Sequence, residues 1–299
     1  MRIDLYLAKT NPAYSRAYFQ KLIKSGNVRV NNLAVKPDYK LKSEDKINIA
    51  IPRVEKRDYG SLKKYFKIIH EDSSILVIDK PVGMSVHPAG EKRPNKETTL
   101  LDILQGKYPD ANYSDFSGRP FIVHRLDRGT SGVMVIAKTP AAQFGLMNQF
   151  AQRTIKKTYL GIVHGIFKEK KGTIDAPLTR DMRDRRKFCI GAGRESVTGF
   201  KVLDSFGKYS FLEITPLTGR THQIRVHLSA IGHPVAGDNI YSAETGPGKP
   251  GPGRPGIFKR QMLHAYKLVL RHPKTKKAME FRAEIPKDFK NALKYIKST

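Results

Sequence analysis

A polar turn between two short apolar runs is the feature that most restricts how this chain can fold. The runs are residues 121–123 (Phe-Ile-Val) and 133–137 (Val-Met-Val-Ile-Ala), and residues 124–132 between them read His-Arg-Leu-Asp-Arg-Gly-Thr-Ser-Gly. Short continuous apolar runs that are bounded by turn residues are typical of strands buried in a sheet. The pattern therefore predicts two buried strands, with a single carboxylate, Asp127, on the sharp turn between them.

The carboxylate of Asp127 has two interpretations. Arg125 and Arg128 flank it, and a carboxylate beside arginines is kept ionised by the opposite charge. An ionised aspartate on a rigid turn can act as a nucleophile or a base. Asp, Gly, Thr and Ser are also ordinary turn residues, so spacing alone allows a simple hairpin turn just as well. Strand alternation places Arg125 and Asp127 on one side, which predicts an ion pair directed at one site.

The chain divides into two domains of unequal size. We predict a small domain over residues 1–51, a charged linker without apolar periodicity over residues 52–66, and a large domain over residues 67–299. Strands and helices are interspersed in the large domain without regular strand–helix–strand alternation, which indicates the α+β class. The predicted elements are strands over residues 67–70, 75–79 and 84–87, a helix over residues 100–104 capped by Thr99, and a helix over residues 141–153.

The small domain has a basic surface. Ser15 is the expected N-cap of a helix that ends at Gly26, and a hairpin with an Asn31-Asn32 turn follows. One face of this helix and the hairpin could hold RNA phosphates, although a helix face that only meets solvent would show the same pattern. The expected phosphate contacts are Arg16, Lys21, Lys24 and Arg29.

The charge balance of the whole chain restricts its partners. There are 55 Lys and Arg residues against 27 Asp and Glu residues, which gives a formal net charge of +28. Such an excess favours a polyanionic partner, most commonly nucleic acid. The single cysteine, Cys189, excludes an internal disulfide framework and a cysteine-rich zinc site. No apolar stretch approaches the length of a membrane span, and the N-terminus lacks an apolar signal segment. We therefore expect a cytoplasmic protein that binds nucleic acid. We also expect it to be a monomer and to bind no metal.

Two further segments place polar side chains where they could contact nucleic acid. Tyr159 begins an apolar run beside Lys157, so it could stack on a base while the lysine holds a phosphate. A tyrosine buried in the core would show the same pattern. The second segment is residues 218–228. It predicts a helix that has Thr221 as its N-cap and that continues to a stop at Gly232.

The two faces of this helix differ in character. Ile224, Leu228 and Ile231 recur at the spacing of a buried stripe. A different face carries His222, Arg225 and Ser229. The two histidines, His222 and His227, lack the spacing and the glutamate of a helical zinc site. Surface loops are expected at the arginine-rich residues 180–187 and at the Gly/Pro-rich residues 246–256.

Ordered motifs run through the whole large domain. They are residues 77–88 (Val-Ile-Asp-Lys-Pro-x-Gly-Met-x-Val-His-Pro), residues 124–132, Lys157-x-Tyr159, residues 219–227 (Gly-Arg-Thr-His-Gln-Ile-Arg-Val-His), Gly232-His233-Pro234 with Gly237-Asp238, and Leu263-His264-Ala265. On these motifs, residues 67–299 resemble the RluA-type pseudouridine synthase family. Residues 1–51 resemble the αL RNA-binding module that a small-subunit ribosomal protein shares with tyrosyl-tRNA synthetases.

The resemblance implies a reaction and a role for each site residue. The reaction is the conversion of uridine to pseudouridine in RNA, and it requires no cofactor. Asp127 would be the nucleophile and Tyr159 would stack on the flipped uracil. Arg225 would pair with Asp127 in place of Arg125, which would enter the gap that the flipped nucleotide leaves, and Leu263 would pack near the base. Further RNA contacts are expected from Arg128, Lys157, Arg220 and His222.

Several alternatives stay open at this point. The front module is similar to that of the family's multi-domain members that modify large-subunit ribosomal RNA, but tRNA is an alternative substrate. The module and the net charge alone would also suit a non-catalytic, ribosome-associated RNA-binding factor. His124-Arg125-x-Asp127 is similar to a kinase catalytic loop, but a kinase also needs a Gly-rich phosphate loop and an Asp-Phe-Gly motif, which the chain lacks.

Overall fold

The computed structural model describes residues 1–11, 16–50, 60–88, 97–108, 122–242 and 258–298. Ser15, most of the predicted linker and the whole Gly/Pro-rich loop of residues 246–256 lie outside these ranges. The described residues build a small helix-and-hairpin domain and a large domain with a mixed sheet and helices, so the α+β prediction is confirmed.

The small domain packs two helices against a three-stranded sheet. Its core is formed by apolar residues from both helices and from the first strand. The Asn31-Asn32 turn is confirmed, because both residues adopt a positive φ, of 50° and 65°. The elements are α1 (Ile3–Thr10), α2 (Arg16–Lys24), β1 (Val28–Val30), β2 (Leu33–Ala34) and β3 (Ile47–Ile49), and the antiparallel strand order is β2-β1-β3.

The large domain begins with a short 3₁₀ helix, Leu62–Lys64. Leu62 and Phe66, which lie in the segment predicted as linker, are buried in the core of this domain. The other elements are β4 (Lys67–Glu71), β5 (Ile75–Lys80), α3 (Leu100–Lys107), β6 (Ser131–Ala137), α4 (Pro140–Ala151), β7 (Lys156–His164), β8 (Lys171–Asp175), β9 (Leu178–Arg180), β10 (Phe188–Ile190), β11 (Val197–Phe206), β12 (Tyr209–Pro216), α5 (Gln223–Ala230), β13 (Leu263–Arg271), β14 (Ala278–Arg282) and α6 (Lys287–Lys297).

Nine strands of the described residues form one sheet, in the order β4-β5-β6-β13-β7-β12-β11-β8, with β14 also paired to β13. Every pairing is antiparallel except β6 with β13, which is parallel and joins Ser131 to His264 and Gly132 to Ala265. Gly132 has a φ of 120°, and a Cβ there would collide with the carbonyl of Ala265, so only glycine fits this crossing. The starts of β6 and β13 therefore lie side by side, and the start of β13 pairs on its other edge with Tyr159, Leu160 and Gly161 in the middle of β7.

The predicted Thr99 cap and most of the predicted elements near it are confirmed. Thr99 caps α3 in a capping box with Asp102, as its side chain accepts the Asp102 N–H while the Asp102 carboxylate accepts the Thr99 N–H. The predicted strands at residues 67–70 and 75–79 are β4 and β5, and the helix predicted at residues 141–153 is α4.

The strand predicted over residues 84–87 is wrong. The carbonyls of Ser85 and Val86 accept hydrogen bonds from the backbone N–H groups of Leu100 and Leu101 at the start of α3. The segment thus satisfies the free donors of a helix N-terminus instead of pairing with a strand. Val86 is nevertheless buried, in the same core cluster as the apolar residues of α3.

Candidate active site

A cavity of about 420 Å³ opens where the loop before β6 meets α5 and the starts of β7 and β13. This volume is within the range of pockets that hold small molecules, so it can accommodate a single nucleoside. The sequence-predicted residues that line it are Arg125, Asp127, Lys157, Tyr159, Arg220, His222, Arg225 and Leu263.

Asp127 lies on the loop that leads into β6, and its side chain is 19% exposed to the cavity. The backbone N–H of Thr130 donates to the Asp127 carbonyl at 3.0 Å, which closes the turn that the sequence predicted. Nη1 of Arg225 donates to Oδ2 of Asp127 at 2.9 Å. The pairing of Arg225 with Asp127 is therefore observed.

The interpretation from strand alternation is wrong. Of the apolar run before the turn, Ile122 forms only an isolated bridge with Ile136, and residues 124–127 are not a strand. The alternation that would align Arg125 with Asp127 therefore does not apply. Arg125 is exposed at the cavity, and within the described residues no ion pair joins it to Asp127.

Asp238 holds Arg225 in place, and the sequence analysis assigned it no role. Its two carboxylate oxygens accept hydrogen bonds from Nε and Nη2 of Arg225 at 2.6 and 2.8 Å. Both side chains are almost completely buried. Burial opposes the charge of Arg225, but the bonds and charge of Asp238, together with Asp127, raise the pKa of Arg225 above its usual value. A planar guanidinium donates two parallel hydrogen bonds to Asp238 and a third to Asp127, and a lysine ammonium lacks this fixed bidentate geometry. The motif Gly237-Asp238 was the only signal for this residue.

Tyr159 and Leu263 form the less polar side of the cavity. Tyr159 is on β7 opposite Ala265 of β13, and Leu263 begins β13. Leu263 is buried, and Tyr159 is partly exposed. Burial and the nearby charge of Asp127 raise the pKa of the Tyr159 phenol, so it stays neutral. An aromatic ring beside a carboxylate suits a flat, uncharged ring such as a pyrimidine.

His124 fixes the loop that carries Asp127, and the sequence analysis gave it no role. Its Nε2 accepts the backbone N–H of Val135 in β6 at 3.0 Å, and its ring stacks on Phe150 at 4.8 Å. Burial and the charge of Lys157 lower the pKa of His124 to about 3. His124 is therefore neutral, as an acceptor must be.

The cationic side of the cavity comes from Lys157 and Arg220. Nζ of Lys157 donates to the carbonyl of Thr218 at 2.8 Å, and burial, with the charges of Arg153 and Arg220, lowers the pKa of Lys157 to about 8. Nε of Arg220 donates to the carbonyl of Glu195 at 3.1 Å. Both side chains thus face the cavity in fixed positions.

The start of α5 differs from the prediction. Thr221 is not the N-cap: His222 takes that position with φ 58° and makes no side-chain capping bond. The side chain of Gln223 instead accepts the Arg220 N–H at 3.0 Å. The far end of the predicted apolar stripe is also wrong, because Ile231 lies beyond the last helical residue and is 41% exposed.

The other predicted RNA-contacting residues lie away from this cavity. Arg128 is exposed, pairs with Glu97 and donates to the carbonyl of Gly83. In the small domain, Arg16 donates to the buried carboxylate of Asp4 at 2.9 Å. Burial alone would raise the pKa of Asp4, but hydrogen bonds from Gln20, Arg16 and Arg2 lower it to about 2. Lys21, Lys24 and Arg29 are exposed.

No group of His, Cys, Asp or Glu residues within the described part of the chain could hold a metal ion. No helix there is long and apolar enough to cross a membrane.

The chain is similar to known proteins over its whole length. The family model described as RNA pseudouridylate synthase matches residues 74–230, and the S4 domain model matches residues 1–47. An uncharacterized RNA pseudouridine synthase of Bacillus subtilis (strain 168) is 39% identical over 298 residues, which cover 99% of this chain and 94% of that protein. Ribosomal large subunit pseudouridine synthase D of Neisseria meningitidis serogroup A is 36% identical over 301 residues, which cover 99% of this chain and 79% of that protein.

Solved structures show the same similarity. Human RNA pseudouridylate synthase domain containing 4 superimposes with a TM-score of 0.59 at 26% identity, over 77% of this chain and 92% of that one. Human RNA pseudouridylate synthase domain containing 1 does so with a TM-score of 0.57 at 28% identity, over 77% of this chain and 87% of that one.

Proposed function

The chain belongs to the RNA pseudouridylate synthase family, and we propose that it isomerises uridines of large-subunit ribosomal RNA with Asp127 as the nucleophile. The observation that carries this proposal is the Arg225 guanidinium, which Asp238 clamps and which donates to Oδ2 of Asp127 at 2.9 Å beside a cavity of nucleoside size. A carboxylate held in this way faces the cavity and can act as a nucleophile there.

The net reaction defines what the site must do. The N1–C1′ bond of uridine breaks, a C5–C1′ bond forms, the proton on C5 leaves and N1 gains a proton. In the proposed sequence Asp127 forms a transient covalent bond to the nucleotide, the base detaches from C1′ and rotates, C5 joins the sugar, and the bond to the carboxylate is broken before the product leaves. Attack on the sugar and attack on the ring give the same net change. No electrons enter or leave, so the reaction needs no redox cofactor.

The target uridine must leave its helix before Asp127 can reach it, at a cost of a few kcal/mol. Tyr159 stacks on the extruded base and Leu263 packs against its edge. Arg125 is exposed at the cavity and would occupy the gap in the RNA helix. Lys157, Arg220 and the exposed basic residues of the small domain would hold phosphates.

The choice of RNA is supported by the relatives and by the small domain. A relative that matches 99% of this chain is named for the ribosomal large subunit. The S4 match and the basic surface of residues 1–47 suit a structured RNA such as ribosomal RNA. We propose that the protein acts in the cytoplasm as a monomer.

Two experiments test this function. Pseudouridines are mapped in ribosomal RNA and tRNA from cells with and without the gene, and we expect sites in large-subunit ribosomal RNA to disappear. Loss of tRNA sites alone would refute the proposed substrate. Asp127→Asn should abolish isomerisation and leave RNA binding largely intact, whereas activity near that of the unaltered enzyme would refute the role of Asp127.

A further inference from the structure

His222 has an uncommon backbone conformation. Its φ of 58° and ψ of 11° lie in the left-handed region, which few residues other than glycine adopt. At a helix N-cap, Ser, Thr, Asp or Asn would accept a backbone N–H, but His222 makes no such bond. Its backbone strain brings no local stabilisation, which points to a role for the imidazole itself.

The imidazole is oriented by Tyr241. Oη of Tyr241 accepts the backbone N–H of Phe188 in β10 at 2.8 Å, which leaves its own O–H free to donate. That hydroxyl lies 2.8 Å from Nδ1 of His222. Burial raises the pKa of Tyr241 to about 12, so the hydroxyl proton is retained. Because Nδ1 accepts this proton, the neutral ring carries its own proton on Nε2.

Nε2 of His222 lies 4.0 Å from Oδ2 of Asp127. Arg225 donates to that same oxygen. Within the described residues, no protein group donates a hydrogen bond to Oδ1 of Asp127. Contacts of this length in unliganded sites often shorten when the substrate binds. Arg225 thus donates to Oδ2, and Nε2 of His222 lies near the same oxygen rather than near Oδ1.

Asp238 contacts both Arg225 and the segment that carries Tyr241. Besides clamping Arg225, its Oδ1 accepts the backbone N–H groups of Ile240 and Tyr241 at 2.9 and 3.2 Å. Arg225 and the Tyr241–His222 pair thus extend from the same buried carboxylate to Asp127. The charged groups around the imidazole are Asp127, Arg225, Asp238 and Arg125, and burial is the largest influence, which lowers the pKa of His222.

We propose that His222 is a positioning residue: with its tautomer fixed by Tyr241, it faces Oδ2 of Asp127 together with Arg225, so that Oδ1 is the atom that attacks. This assignment rests on the proposed function, and it replaces the RNA contact expected from the sequence. Nδ1 is occupied by Tyr241 and Nε2 is directed at Asp127, so neither nitrogen is turned toward a phosphate.

Two substitutions of His222 separate positioning from structure. Asn tolerates the left-handed backbone best, but its amide is too short to reach Asp127. Gln fits this backbone less well, but its amide nitrogen can take the place of Nε2. The probe is large-subunit ribosomal RNA transcribed in vitro with tritium at C5 of uridine, because each isomerisation releases that tritium.

We expect His222→Asn to keep the higher melting temperature of the two and to lower kcat roughly 10- to 100-fold, with KM for the RNA nearly unchanged. His222→Gln should melt lower and yet be the more active. If activity follows the melting temperatures, the role is structural. If KM and its salt dependence change while kcat does not, His222 contacts RNA. Either result overturns the proposal.

A second pair of variants tests the path through Tyr241. Tyr241→Phe should lower kcat in the same direction, and the double variant with His222→Asn should be no slower than His222→Asn alone, because both act through one hydrogen bond. Additive losses would count against the hydrogen bond from Tyr241 to His222 as the cause.

Tyr295→Phe is the matched control for loss of a phenol hydroxyl, because Tyr295 lies in α6 and is 39% exposed. Its activity should match that of the unaltered enzyme. Asp127→Asn is assayed in parallel: an active Asp127→Asn refutes the proposed function, whereas an inactive one beside a fully active His222→Asn refutes only the role of His222.

Discussion

Arg225 has two carboxylate partners, Asp238 and Asp127. We predict that removing the charge of Asp238 mainly lowers stability, whereas removing the charge of Asp127 mainly abolishes activity. Asp238 receives two of the three hydrogen bonds from the guanidinium, and both side chains are almost completely buried. Removing one member of a buried ion pair leaves the other charge uncompensated, which costs about 3–5 kcal/mol. Asp238→Asn should therefore lower the free energy of unfolding by that amount.

Asp127→Asn removes the other charge and should cost far less. Asp127 receives a single hydrogen bond from Arg225 and is partly open to the cavity, and Arg225 keeps its pair with Asp238. The loss is that of one hydrogen bond between charged groups at a partly open site, about 1.5 kcal/mol. Asp127→Asn should nevertheless be inactive, while Asp238→Asn should retain a small fraction of activity because the nucleophile is still present.

Urea unfolding followed by circular dichroism measures the first effect, and tritium release from the RNA transcript measures the second. Each variant replaces one carboxylate oxygen by an amide nitrogen and so removes one negative charge. Each variant is therefore the matched control for the other. Equal destabilisation by both variants, or a larger loss from Asp127→Asn, would refute the assignment of Asp238 as the anchor and Asp127 as the reactive group.

Three further predictions concern the base, the loop and the small domain. Tyr159→Ala should raise the single-turnover barrier by about 1–3 kcal/mol through lost stacking, and Tyr159→Phe should recover most of it if stacking is the main role. His124 has a pKa of about 3 in the folded chain against 6.5 for the free side chain, so below pH 6.5 the unfolded chain binds a proton that the folded chain rejects. Stability should therefore fall as the pH drops from 6.5 toward 3, by up to about 1.4 kcal/mol per pH unit for this group, and His124→Gln should show a shallower fall in urea unfolding. Deletion of residues 1–51 should weaken RNA binding and flatten its dependence on salt, and an unchanged salt slope in filter binding would contradict phosphate contacts by that domain.

The sequence predicts well what depends on neighbouring residues. The Thr99 cap, the Asn31-Asn32 turn and the buried strand at residues 75–79 follow from local chemistry and periodicity, and all three are observed. The failures involve partners that are distant in the chain. Residues 84–87 show an alternating pattern, but their carbonyls bond to the start of α3, which no local pattern can show.

The site shows the same limit. Motif resemblance paired Arg225 with Asp127 across 98 residues, whereas alternation alone paired Asp127 with Arg125. Asp238 and Tyr241 were not assigned because the pattern of a single segment contains no information on which buried charge a side chain will meet. The left-handed backbone of His222 is likewise imposed by tertiary packing, since the local sequence predicted an ordinary cap at Thr221.

The parallel pairing of β6 with β13 has a consequence for how the enzyme becomes active. It is a seam between two antiparallel half-sheets: the loop that carries Asp127 belongs to one half, and Tyr159 and Leu263 belong to the other. Each half can form its own hairpins, but neither contains a complete site. During refolding, native circular dichroism should therefore recover before catalysis, which begins only when the two halves dock. Catalytic activity thus reports on the pairing of β6 with β13.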